Sequence, residues 1–282
     1  MPPWTGSKLL VGLPKGTPCI KYTNMRELEA AIQSRASECY EEIFKGTFLV
    51  VTAIPSTFIT EVDGFYGDRG PRFAINIDES LAVAETMLFK PHEILTQNLV
   101  IHIGSAIDQM GLRKVYIPSG AASMNSPSRA NTRSTKQPDG SFFIEGEEWP
   151  TLVIEIGLSE SIQKLVMDAH WWLEAEGSCT LIVITAKIDR HKPLITFQRW
   201  EHEHHHPPHR PITGHCYLNS TVVQEVCAVH ENGVTRVTGN IILPFEKMLR
   251  RSKETKKETD INIGRDILID FAEATWKSQG FM

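Results

Sequence analysis

The feature that most constrains the fold is a single acid inside an apolar run. Thr151-Leu152-Val153-Ile154-Glu155-Ile156-Gly157 reads as a buried strand interrupted only by Glu155. A buried strand accepts a carboxylate where a cation or hydrogen-bond donors compensate its desolvation, so Glu155 marks a polar site. Upstream, Pro138-Asp139-Gly140-Ser141-Phe142-Phe143-Ile144 predicts a second strand with Asp139 at its mouth. Downstream, Ile162, Leu165, Val166, Ala169, Trp172 and Leu173 recur at spacings of three and four and predict a helix. Ser159 is its expected N-cap and Gly177 its expected stop. Cys179 to Thr185 is apolar enough for a central strand covered on both faces. Strand, helix and strand in that order predict a crossover on an open sheet, with both acids at one end.

The pairing of Pro138-Asp139 with Glu155 across a short hairpin, then a helix ending in Trp171-Trp172-Leu173, resembles the PD-(D/E)xK nuclease superfamily. The likeness is to its restriction-endonuclease-like families of uncharacterised bacterial and fungal proteins, and it covers residues 90 to 250. It implies an α/β fold with an αβββαβ core, a mixed central sheet flanked by helices, and metal-dependent phosphodiester hydrolysis. Mg is the implied cofactor, with Mn as its substitute, because the ligands are oxygens. By resemblance Asp139 and Glu155 bind the metal and the backbone carbonyl of Ile156 is a third ligand. The family's lysine two residues after the second acid is replaced by Gly157. Some members move that cation onto the following helix, where Lys164 is the expected substitute and Gln163, on the other flank of the apolar stripe, the alternative. The family's helix ahead of the hairpin carries a His or acid facing the metal, which falls here on His92 and Glu93, with Glu93 as the metal-shell candidate. Many members act as dimers, so a homodimer is also left open.

Ahead of this core, residues 1 to 89 read as an N-terminal elaboration packed on it, or as a lid that shapes the substrate site. Helical spacing over Asn24 to Phe44 is followed by strands over Thr47 to Ile54 and Phe73 to Ile77, and a short helix is expected over Glu79 to Phe89. Pro91 opens a helix that Gly111 closes, and Lys114 to Pro118 is a strand. The polar stretch Ser119 to Lys136 is expected as a loop. Its Arg129, Arg133 and Lys136 suit the backbone of a phosphate-bearing substrate, or are solvated loop charges. Beyond the core's helix, strands are expected at Leu194 to Trp200 and Thr221 to His230. The Asn232-Gly233 turn then closes a C-terminal β-hairpin into Val234 to Leu243. Residues 251 to 282 read as a basic linker and a helix from Ile267 to Lys277 with Trp276 free to dock.

The formal charge of −5 gives no global attraction to nucleic acid, so any such contact must be local. No apolar run reaches membrane-spanning length and no leader pattern opens the chain, which predicts a soluble intracellular protein of cytoplasm or nucleus without a membrane partner. Five scattered cysteines contain no CxxC pair and predict free thiols. The His-rich run 202–209 matches no structural zinc spacing. Two further readings stand beside the nuclease. A catalytically altered member of the fold could act on a small molecule or bind nucleic acid or protein. A purely structural role would pair Glu155 with a buried Lys or Arg and leave Asp139 to hold its turn.

Overall fold

The computed structural model describes residues 7–41, 46–66, 70–86, 89–120, 122–126, 134–158, 161–203 and 219–282. In the N-terminal third, apolar and β-branched runs form Cys19–Lys21 (β1), Phe48–Thr52 (β2), Arg72–Asn76 (β3) and Leu81–Glu85 (β4). After Tyr116–Pro118 (β5), two short pieces, Met124–Ser126 (β6) and Ser134–Lys136 (β7), join the same sheet in the order β1-β2-β4-β3-β7-β6. Two expectations are corrected here. The stretch Glu79 to Phe89, expected as helix, carries β4, because both of its faces are covered: Ala82 and Ala84 on one side, Leu81 and Val83 on the other. The stretch Ser119 to Lys136, expected as loop, contributes β6 and β7, the latter paired with β3 through Ile75 and Asn76.

Alternation sorts this sheet's residues. Phe73, Ile75, Leu49 and Val51 face the helices Met25–Glu41 (α1) and Phe58–Tyr66 (α2), forming a small core with Leu28, Ile32 and Phe58. The opposite face carries Phe48, Val50, Leu81 and Val83, capped by Leu9, Leu10 and Leu13 of the N-terminal arm. At the end of that face Arg72 stands opposite Glu85 across the β3–β4 ladder.

The second sheet contains the three strands that the acid pattern predicts, Gly140–Ile144 (β8), Leu152–Gly157 (β9) and Ile182–Ile188 (β10), followed by Leu194–His202 (β11), Ser220–Glu231 (β12) and Val234–Val237 (β13). Its order is β13-β12-β11-β10-β9-β8-β5. Strands β9 and β10 run parallel, joined through the helix Ile162–Glu174 (α4), and the remaining ladders are antiparallel. The fold is thus mixed α/β, with mixed sheets flanked by helices. Within the fully buried β9, Leu152, Ile154 and Ile156 face one core, while Val153 and Glu155 face α4.

Helix α4 starts two residues later than expected. Its N-cap is Ser161, whose Oγ accepts from the Lys164 amide at 3.2 Å; the expected cap, Ser159, lies outside the described residues. The arm docks at this point. Ser161 Oγ donates to the Gly12 carbonyl at 2.7 Å, and Gly12, at φ +79°, lies so close that a Cβ there would fall 2.3 Å from the Lys164 amide nitrogen.

The large core on the other face is closed by Lys90–Gln109 (α3) and by the C-terminal region. Strand expectation over Val234 to Leu243 resolves into β13 and Ile241–Leu243 (β14), which pairs with Ile261–Ile263 (β15). The short helix Phe245–Leu249 (α5) and the helix Arg265–Gln279 (α6) follow their neighbouring strands, and Trp276 is fully buried. Residues 261 to 276, expected as a piece beyond the core, supply Ile261, Ile263, Leu268, Phe271 and Trp276 to the same cluster as β9. Asn232 and Gly233 both take left-handed φ, as a tight hairpin turn demands. Among the described residues, no helix is long and apolar enough to cross a membrane.

Candidate functional site

The hairpin of β8 and β9 sets Gly140 opposite Ile154, which brings Asp139 beside Glu155 at the strand ends. The Asp139 amide donates to the Ile154 carbonyl at 3.2 Å, extending the ladder by one rung. Asp139 Oδ2 accepts the Ile156 N–H at 2.5 Å and lies 3.1 Å from His92 Nε2 at the start of α3. Arg72 of β3 donates to its other oxygen. Glu155 Oε1 accepts from Lys136 Nζ of β7 at 2.9 Å and from the Trp172 indole N–H of α4. Lys136 Nζ also lies 2.8 Å from Asp168 Oδ1, which pairs with Lys164 one turn earlier on α4. The two sheets therefore meet through charge: the second supplies the hairpin acids, and the first supplies Arg72, Glu85 and Lys136.

Arg72, Glu85, Lys136, Asp139, Glu155, Lys164 and Asp168 line a cavity of about 40 Å³, and the two hairpin acids are almost withdrawn from solvent, with Glu155 at 7% exposure and Asp139 at 9%. Burial pushes the Glu85 carboxyl up; the nearby His92, Arg72 and Lys164 pull it back, and Glu155 adds to the rise. Burial works in the same direction at Asp168, yet Lys136 and Lys164 together hold that carboxyl below its ordinary range. Outside the cavity, the hydrogen bond from His92 lowers the Glu93 carboxyl.

Of the residues singled out from sequence, Asp139, Glu155, Lys136, Lys164 and His92 come together. Glu93, whose side chain is 43% exposed, meets the site only through His92 Nδ1, 3.1 Å away. Gln163 is exposed and lies outside the cavity lining. Ile156 meets Asp139 through its N–H. Arg129 and Arg133, and residues 204 to 209 of the His-rich run, lie outside the described residues.

Gly157, where the resemblance leads one to expect a lysine, is tightly packed. A Cβ on Gly157 would fall 2.9 Å from Leu165 Cδ1, so α4 sits where a longer side chain would start. The lysine beside it in register, Lys187, donates to the carbonyls of Leu158 and Ile188, each at 3.0 Å. Lys136 reaches Glu155 instead.

Sequence reasoning missed Arg72, Glu85 and the direct contact of Lys136 with Glu155. Arg72 carried one weak signal, a position on the polar face of an alternating strand. Glu85 was hidden by the helical reading of its segment.

Buried carboxylate oxygens on adjacent strands suit a hard divalent cation when water and a backbone carbonyl complete the shell. Among the described residues no group of three or more His, Cys, Asp or Glu side chains is placed to hold a metal ion. The Lys136 ammonium lies between Glu155 and Asp168 and neutralises part of their charge. No protein-family model matches the chain, and comparison with curated proteins and with solved structures finds no match.

Proposed function

We propose that the chain is a metal-dependent phosphodiester hydrolase with a restriction-endonuclease-like core, acting on nucleic acid. The observation that carries this reading is the placement of Lys136 Nζ 2.9 Å from Glu155 Oε1, with Asp139 alongside, although the usual lysine position is Gly157. Two acids at the ends of neighbouring strands and a cation from the facing sheet meet what hydrolysis of a phosphodiester requires: negative ligands for a metal and a positive group beside the attacked phosphorus. Asp139 and Glu155 would hold Mg or Mn, which when bound supplies Lewis acidity and an activated water.

In this reading the chain's own groups divide the work. Lys136, together with Lys164, takes the role of the missing lysine: Lys136 touches Glu155 directly, and Lys164 shares Asp168 with it. The Lys136 ammonium orients water at Glu155 Oε1 and offsets charge that develops on the phosphate. His92 and the Ile156 N–H fix Asp139 in one orientation. Arg72, paired with Asp139 before substrate arrives, is placed to transfer its hydrogen bond to a phosphate oxygen.

The test is cleavage of a mixed DNA and RNA panel in Mg or Mn by wild type, Asp139→Asn, Glu155→Gln, Lys136→Met and Lys164→Met. Loss of about a hundredfold or more in Lys136→Met, and a smaller loss in Lys164→Met, is the expected result. Absence of metal-dependent cleavage by folded wild type overturns the reading. The same buried Lys136–Glu155 pair is what a structural role for Glu155 requires, and with the nearly filled cavity it favours a second reading in that event, a member of the fold that has kept its architecture and lost hydrolysis.

A further inference from the structure

Two clefts reach the charged cavity, and they differ at their inner ends. One, of about 820 Å³, runs past α1 and α2 and meets the cavity at Arg72 and Glu85, with Glu29 and Asp63 on its walls. The other, of about 720 Å³, lies between the N-terminal arm, β3, β7 and α4, and meets it at Lys136, Lys164 and Asp168. A phosphodiester needs cations where its phosphate comes to rest, and the second cleft ends on two lysines where the first ends on Arg72 alone, so the second is the better approach, with Arg72 meeting the phosphate from the far side of the cavity.

Trp171 stands in the wall of that cleft. Its indole N–H donates to Ser134 Oγ of β7 at 3.2 Å, and its ring is braced edge-on by Trp172 at 4.8 Å and tilted against Trp149 at 5.9 Å. A half-buried ring fixed on two sides loses little freedom when a base stacks on it, which suits a single-strand platform. Exposed Lys8, on the arm, adds a cation at the rim. The walls also carry Glu79, Glu174 and Glu176, which disfavours a long phosphate tract. The cleft has the size that encloses a small ligand, and the acids beneath it are too deeply covered for a duplex backbone to descend to them.

We propose that this site takes single-stranded nucleic acid end-on, with the reacting phosphate at Lys136 and Lys164 and the neighbouring base stacked on Trp171. The assignment rests on the hydrolase reading above, but its test has an independent readout. Fluorescence anisotropy of a short labelled single strand in EDTA measures binding without metal, while cleavage in Mg or Mn measures hydrolysis. The single strand should bind at least about tenfold more tightly than a duplex of the same length, and Trp171→Leu should weaken it about tenfold while keeping the apolar packing. Lys8→Glu, at an exposed position, should also weaken it and flatten its salt dependence, and decides the matter if Trp171→Leu melts early. Equal affinity for duplex, or unchanged binding in both variants, overturns the proposal, and cleavage that still requires Asp139 then leaves the hydrolase reading standing. Trp171-dependent binding without cleavage overturns the hydrolase reading and leaves the cleft assignment intact.

Discussion

At the scale of single residues, Gly157 shows how a missing side chain can be forced by a neighbour. Leu165 of α4 fills the space above it, and Gly157→Lys must displace that side chain or bend the strand. Urea denaturation should show a loss of about 1–3 kcal/mol for Gly157→Lys, the range expected for overpacking a tight core. Adding Leu165→Ala to it should recover part of the loss by opening the space. An unchanged midpoint in Gly157→Lys would mean that Leu165 yields freely. The cation at Glu155 comes instead from β7, a strand of the other sheet. The acids were legible because a carboxylate in a buried strand has few explanations. The origin of their cation was not, since its partner strand lies 19 positions upstream in a polar stretch with no strand pattern.

Among the elements, the segment after α5 illustrates the limits of charge counting. Most of residues 251 to 257 are exposed, as a solvated basic stretch should be, but Arg251 and Glu258 close it into a fixed loop. Arg251 Nη2 lies 2.8 Å from Glu258 Oε1, and the Glu254 amide donates to Glu258 Oε2 at 2.5 Å. The Arg251 hydrogen bond, helped by that amide and opposed by burial, draws the Glu258 carboxyl down to about 2. An unfolded glutamate titrates near about 4.3, so this contribution is complete above that pH and fades as pH falls toward the folded value. Melting curves of Glu258→Gln should lie well below wild type near neutrality and converge on it in strong acid; a constant offset across the acid range would contradict the assignment. Elements with clean periodicity, such as α3 and α4, were readable within a residue or two. Strand β4 was not, because alternating alanines between two apolar faces mimic helix composition until the pairing with β2 and β3 is known.

For the whole molecule, the C-terminal region is part of the interior. Ile261 and Ile263 complete a ladder with β14, and α6 buries Leu268, Phe271, Ala272 and Trp276 in the cluster that holds β9. A chain ended at residue 258 would strip that cluster of one wall and expose much of α3. It should lose its cooperative urea transition, whereas a removable appendage would leave the midpoint unchanged. The attachment of β7 has a different consequence. This three-residue strand carries Lys136 and pairs with β3 through two residue pairs, far less than any strand of the second sheet's centre. A short ladder slips or opens at little cost compared with unfolding the core. Small changes in one peripheral strand can therefore re-aim the lysine, and the proposed hydrolysis, where it exists, would be easy to switch off in a descendant that keeps every other part of the fold.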